Sequence, residues 1–192
     1  MRTAKTVLTV IQERGKQKKP IERVYKLLFN RELYLNAYAK LYPNNGAMTK
    51  GVTDETVDGM SIQKIDRMIE ILREEKYQWK PARREYIKKK NGKKRPLGIP
   101  VWGDKVLQEV MRQILEAYYE PQFSEHSHGF RPNRGCHTAL QEIQVWKGTR
   151  WFIEGDISQY FDTIDHKILL EILARNIHDG RFIRLVSNML EA

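Results

Sequence analysis

The stretch Trp151-Phe152-Ile153-Glu154-Gly155-Asp156-Ile157-Ser158-Gln159-Tyr160-Phe161-Asp162-Thr163-Ile164-Asp165-His166 decides how this chain is read. Three large apolar residues run toward Asp156, an aromatic follows five residues later, and helical spacing begins near His166. The pattern predicts a strand over 150–156 carrying Asp156 at its buried end, then a helix over 166–177. A buried carboxylate needs a partner, and for an oxygen ligand Mg²⁺ is the natural one. A role for Asp156 without metal stays open at this point. Phe161 reads either as the floor of a nucleotide pocket or as plain core packing. Asp165 reads as the N-cap of the helix that follows.

Upstream, residues 83–89 and 94–99 read as two strands around Asn91-Gly92, a dipeptide suited to the positive φ of a tight hairpin turn. Lys88, Lys89, Lys90, Lys93, Lys94 and Arg95 crowd around that turn. Like charges at such density repel, and a polyanion would relieve them. The alternative is a solvated edge hairpin whose lysines discourage further strand pairing. The loop His128-Gly129-Phe130-Arg131-Pro132-Asn133-Arg134-Gly135 adds two arginines and an aromatic. Arginine suits phosphate and phenylalanine can stack on a base, although a structural loop packed by Phe130 has the same composition. A metal-binding carboxylate and a basic clamp together point to phosphoryl or nucleotidyl transfer.

The 192 residues suffice for one domain, or one and part of a second. The net charge of +10 is segregated: residues 1–100 hold 24 Lys and Arg against 11 Asp and Glu, whereas residues 101–192 hold 10 against 13. A basic half followed by a slightly acidic half suggests a nucleic-acid grip joined to a metal site. Cys136 is the single cysteine, which excludes an internal disulfide or a cysteine zinc site. His126 and His128 do not match zinc-ligand spacing. No apolar run approaches the roughly 20 residues of a membrane span, and the N-terminus lacks a secretory core, so a cytoplasmic setting is the default.

Elsewhere, periodicity predicts a helix over 2–14, a basic linker over 15–20 and a helix over 21–41. An irregular loop then runs to Gly59, and Ser61 caps a helix whose Ile62, Ile65, Ile69 and Leu72 share one face. Further helices are expected over 103–120 and 137–147, and another toward the end of the chain through Phe182, Leu185, Val186 and Leu190.

In this order the pieces resemble the group II intron-encoded reverse transcriptases, also called maturases. The resemblance runs from about Ile21 onward. It includes Asn36-Ala37-Tyr38-Ala39-Lys40-Leu41, Asn45-Gly46-Ala47-Met48-Thr49-Lys50-Gly51 and Thr56-Val57-Asp58-Gly59-Met60-Ser61. The run Tyr86 to Pro100 follows, then Glu120-Pro121-Gln122-Phe123-Ser124, Ser127-His128-Gly129-Phe130-Arg131-Pro132 and the Asp156 block. The resemblance implies an α+β right-hand polymerase fold: an N-terminal extension and helical fingers with a basic β-hairpin over 1–100, then fingers and the start of an antiparallel palm sheet over 101–192. It implies that Asp156 and the Ile157 carbonyl bind Mg²⁺, that Phe161 excludes ribonucleotides, and that Lys89 and Arg95 hold the incoming deoxynucleoside triphosphate. The basic residues Lys16, Lys18, Lys19, Lys50, Lys88, Lys90, Lys93, Lys94, Arg131 and Arg134 would contact the intron RNA, or an RNA template with its DNA primer, in a bacterial-type cytoplasmic ribonucleoprotein.

The family's Tyr-Ala-Asp-Asp turn, which supplies the other catalytic carboxylate, does not occur in these residues. The chain is therefore expected to be an incomplete palm, inactive alone, and an apolar surface over 181–190 is expected to favour a homodimer. Two other readings remain: an RNA-binding splicing cofactor without synthesis, and a retron-type enzyme, against which the motif from Gly46 to Ser61 weighs.

Overall fold

Local capping sets where the helices begin in the computed structural model, which describes residues 2–88, 92 and 94–192. Thr3 Oγ1 accepts from the Thr6 N–H and starts α1 (Ala4–Lys16). Asn30 accepts from the Glu32 N–H at 3.0 Å and starts α2 (Arg31–Leu41). Ser61 accepts from the Lys64 N–H at 3.2 Å and starts α3 (Ile62–Arg73). The antiparallel hairpin β2–β3 (Arg83–Lys88, Lys94–Ile99) follows the short strand β1 (Ile21–Glu22) in chain order. Then come α4 (Trp102–Tyr119), α5 (Cys136–Gln144), α6 (Tyr160–Thr163) and α7 (His166–Ala174). Asp165 caps α7 through the Lys167 and Ile168 N–H groups, as the sequence predicts. Strand β4 (Ile177–His178) pairs in parallel with β1, and Asp179 caps α8 (Gly180–Glu191).

The core gathers around α4, whose Val106, Leu107, Val110, Ile114 and Tyr118 are fully buried. Leu28, Leu33, Tyr34, Leu72, Ile177 and Phe182 close on them from α2, α3, α8 and the segments between. Burying such a side chain contributes roughly 1.5–3 kcal/mol, so this layer stabilises the chain far more than its surface ion pairs do.

Several expectations need correction. The linker predicted from Gly15 starts later, because Gly15 is buried inside α1 against the Tyr118 backbone. The helix predicted over 21–41 is broken into β1, a 3₁₀ turn (Val24–Phe29) and α2. Arg23 adopts a positive φ, and the Tyr25 N–H leaves the helical pattern to donate to Asp179 at 2.9 Å. On α3, Ile65, Ile69 and Leu72 are buried but Ile62, in the first turn, is exposed. On α8, Phe182, Leu185 and Val186 are buried, so residues 181–190 do not present the apolar face expected to drive dimerisation.

The strand predicted over 150–156 does not form. Trp151, Phe152 and Ile153 are exposed, Ile153 at 93%. A strand needs neighbours for its backbone groups, and among the described residues the only pairings are β1 with β4 and β2 with β3. Exposed apolar residues continue on α5 and just beyond it, at Leu140, Ile143, Val145 and Trp146. The observed architecture is mixed helix and sheet with one small antiparallel sheet.

Candidate nucleic-acid and nucleotide site

The hairpin is fixed at its base and charged at its tip. Asp104, in the first turn of α4, accepts from Tyr77 Oη at 2.6 Å and from the Lys80 N–H at 2.9 Å. Arg83 Nε donates to the Lys50 carbonyl and Lys105 Nζ to the Thr49 carbonyl, both at 3.1 Å. Gly51 lies against the backbone just before α4, where a Cβ would stand 2.8 Å from the Val101 nitrogen. Burial pushes the Asp104 carboxyl above its ordinary pKa, and the bonds from Tyr77 and Lys80 oppose that shift.

Toward the tip, Lys88 stands opposite Lys94 and Ile87 opposite Arg95. Directly opposed residues share a face of the ribbon, and like charges so placed are destabilising unless something neutralises them. Lys88, Lys94 and Arg95 are all exposed. The predicted contacts at Lys89, Lys90 and Lys93, and the turn residue Asn91, lie outside the described residues. Gly92 has the positive φ, 77°, that its place in a hairpin turn requires.

The loop between α4 and α5 is internally tied. Arg131 Nη2 meets Glu120 at 2.9 Å, and Nη1 donates to the Ser124 and Ser127 carbonyls at 2.6 and 2.8 Å. Its guanidinium lies 5.4 Å from the Phe123 ring centre, and the side chain is only 8% exposed. The arginine expected to reach RNA is instead engaged within its own loop. Arg134 donates to the Glu125 carbonyl. Phe130, at a φ of 57°, is fully exposed rather than packed under the loop. His128 bridges Thr138 Oγ1 and Glu142, each at 2.8 Å, and His126 also reaches Glu142. These imidazole contacts hold the Glu142 carboxyl below its ordinary pKa, with that from His128 the larger.

Asp156, Ile157 and Phe161 lie on one exposed segment, where Phe161 meets Tyr160 edge-on with ring centres 5.4 Å apart. Among the described residues no group of three or more His, Cys, Asp and Glu is arranged to hold a metal. Of the other expected RNA contacts, Lys18 and Lys19 are exposed, Lys16 pairs with Glu13 at 2.7 Å and Lys50 with Asp54 at 2.8 Å. Such surface pairs are weak and exchangeable for phosphate. No helix among the described residues is long and apolar enough to cross a membrane.

Two groups escaped the sequence reading. Asp104 shares a helical face with the buried Leu107 and Met111, and an acid on an apolar stripe is the signal that could have found it. Glu142 carries no such mark, because its partners come from a loop whose path the sequence does not reveal.

The family described as "Reverse transcriptase (RNA-dependent DNA polymerase)" matches residues 87–190, from the hairpin through α8. The chain belongs to the reverse transcriptase family. Membership implies a right-hand polymerase fold, and reverse transcriptases generally use divalent metals. The chain is 49% identical over 172 residues to the Group II intron-encoded protein LtrA of Lactococcus lactis subsp. cremoris, across 88% of this chain and 29% of that protein. It is 46% identical over 197 residues to an uncharacterized 91 kDa protein in the cob intron of Schizosaccharomyces pombe, across 98% of this chain and 24% of that protein. Nuclear intron maturase 1, mitochondrial, of Arabidopsis thaliana is 36% identical over 93 residues, across 48% of this chain and 13% of that protein. The chain thus spans less than a third of the length of these relatives.

Proposed function

We propose that these residues are the fingers (1–100) and the first part of the palm (101–192) of a group II intron-encoded reverse transcriptase that also binds its intron RNA as a splicing maturase. The observation that carries the reading is the Asp156 block lying downstream of the lysine hairpin within one stretch matched by the reverse transcriptase family. Similarity to proteins named for introns extends it to the group II class.

Asp156 and the Ile157 carbonyl would hold Mg²⁺. Both are hard oxygen donors on an exposed segment, which suits an ion that takes one or two carboxylates and completes its shell with water and substrate phosphate. When bound, the ion acidifies the primer hydroxyl and neutralises phosphate charge. Lys89 and Arg95 grip the triphosphate of the incoming deoxynucleotide, orienting its α-phosphate toward the primer end. Phe161 fills the space a ribose 2′-OH would need. Lys16, Lys18, Lys19, Lys50, Lys88, Lys90, Lys93, Lys94 and Arg134 hold RNA phosphates without reading bases. Two-metal chemistry needs carboxylates from two places, spaced for ions about 4 Å apart. Synthesis therefore needs the Tyr-Ala-Asp-Asp turn in addition to these residues.

The segregation of basic charge into residues 1–100 favours a second reading, a splicing cofactor that binds structured RNA by shape and phosphate contacts without synthesis. The two readings separate by mutation. Asp156→Ala should abolish primer extension and leave RNA affinity intact. Charge reversal at Lys16, Lys18 and Lys19 should weaken RNA affinity and make the remaining affinity less sensitive to salt. RNA affinity indifferent to both changes would contradict the maturase role.

A further inference from the structure

We infer that Asp104 is a positioning residue that aims the basic hairpin, and with it the grip on the triphosphate. The geometry is particular. Both carboxylate oxygens are used, each on a different residue of the segment that feeds β2: Oδ1 takes Tyr77 Oη and Oδ2 takes the Lys80 N–H. Lys80 is three residues before Arg83, where the strand begins. Asp104 is 2% exposed, so neither bond is replaced by water if it is lost.

Two further ties fix the same base from the other side. Arg83 reaches the Lys50 carbonyl and Lys105 reaches the Thr49 carbonyl, both at 3.1 Å. Trp79, between the two Asp104 partners, donates from Nε1 to the Leu185 carbonyl of α8 at 3.0 Å. Beyond this base the ribbon is exposed from Arg84 to Gly98 wherever it is described, so the core does not hold it. Its direction is set at the root. A small rotation there, carried along six residues of strand at about 3.3 Å each, displaces the tip by several ångströms. Lys94 and Arg95 stand at that far end.

The role assigned to the tip rests on the proposed polymerase function, whereas the anchoring does not, so the test has two arms. In the first, the 192-residue chain carries Cys136→Ser and spin labels on Lys88→Cys at the far end of β2 and Gln12→Cys in α1, and the distance between the labels is measured by pulsed electron spin resonance. Asp104→Asn sets an amide N–H against a donor and should shift or broaden the distance distribution by several ångströms at a temperature where circular dichroism shows a folded chain. Tyr77→Phe, which keeps the carboxylate and the Lys80 bond, should broaden it less and serves if Asp104→Asn does not fold. An unchanged distribution overturns the inference.

In the second arm, these residues are carried in a polypeptide that also supplies the Tyr-Ala-Asp-Asp turn. There Asp104→Asn should raise KM for the deoxynucleotide about tenfold with kcat within about twofold. In combination with Arg95→Ala it should add almost nothing, because both act on one contact. Equal and additive losses in kcat would mark a purely structural residue and overturn the inference. Absence of synthesis in the unmutated polypeptide would instead count against the polymerase reading and leave the first arm to decide.

Discussion

Gly15 of α1 lies against the Tyr118 carbonyl of α4 so closely that a Cβ at Gly15 would stand 2.1 Å from that oxygen. The contact is backbone to side-chain space, so no rotamer change relieves it. Tyr118 Oη completes the joint by donating to the Lys19 carbonyl at 3.0 Å. Helix propensity alone would favour alanine here by about 1 kcal/mol. The steric cost outweighs it, and Gly15→Ala is expected to destabilise the chain by about 1–3 kcal/mol. Thermal unfolding checks this: the midpoint should fall by several degrees, and a rise would show that α1 can lift off α4 at no cost.

Arg131 is the clamp of the loop between α4 and α5. Arg131→Ala removes a charge-assisted pair with Glu120 and two bonds to carbonyls. The loss is expected to be about 1.5–3 kcal/mol, concentrated in this loop. Proteolysis should then cut within residues 124–135 while α4 stays protected. Arg131→Lys should not rescue, because an ammonium cannot serve these separated acceptors in one plane. Equal protease resistance in all three proteins would show that the clamp is ornamental.

The tie from His128 and His126 to Glu142 gives the same region a pH dependence. The Glu142 carboxyl is held below its ordinary value, so its contribution is fully present above the unfolded glutamate pKa of about 4.3 and is lost as pH falls through the lower, folded value. Protection factors for hydrogen exchange in α5, taken relative to the intrinsic exchange rate at each pH, should fall on acidification through that window, and Glu142→Gln should remove this acid limb. An acid limb that persists in Glu142→Gln would assign it to another carboxylate.

Phe161 sets sugar discrimination if it bars the 2′-OH. Phe161→Val, in a polypeptide competent for synthesis, should raise incorporation of ribonucleotides relative to deoxynucleotides by tenfold or more, since the barrier is steric. Misincorporation assays at matched concentrations measure it. Unchanged discrimination would remove the assignment of Phe161 as the barrier to the 2′-OH.

The sequence makes the locally determined features plain. Ser61 and Asp165 cap where expected, because an N-cap needs only a side chain and the next turn. The hairpin is legible from its turn dipeptide, and α4 from its apolar stripe. Features set by tertiary contact are not legible. The break near Arg23 depends on Asp179, 154 residues from the Tyr25 N–H that it accepts. Gly15 looks like a helix breaker until Tyr118 is placed against it. The apolar run at Trp151–Ile153 reads as a strand because it has strand composition, yet composition does not supply the neighbouring strands that pairing requires. The same limit applies to the site. The pattern marks Asp156 and Phe161 as candidates, but it does not reveal that Arg131 is bonded to Glu120, Ser124 and Ser127 within its own loop.

Primer extension on an RNA template tests the central claim most directly, using these residues within a polypeptide that also supplies the Tyr-Ala-Asp-Asp turn, beside the same polypeptide carrying Asp156→Asn. DNA synthesis that depends on divalent cation and is lost with Asp156→Asn, while salt-sensitive RNA binding is retained, is the expected result. Synthesis that survives Asp156→Asn would contradict the assignment of Asp156, and tight RNA binding with no synthesis in either protein would leave a splicing cofactor in place of the polymerase.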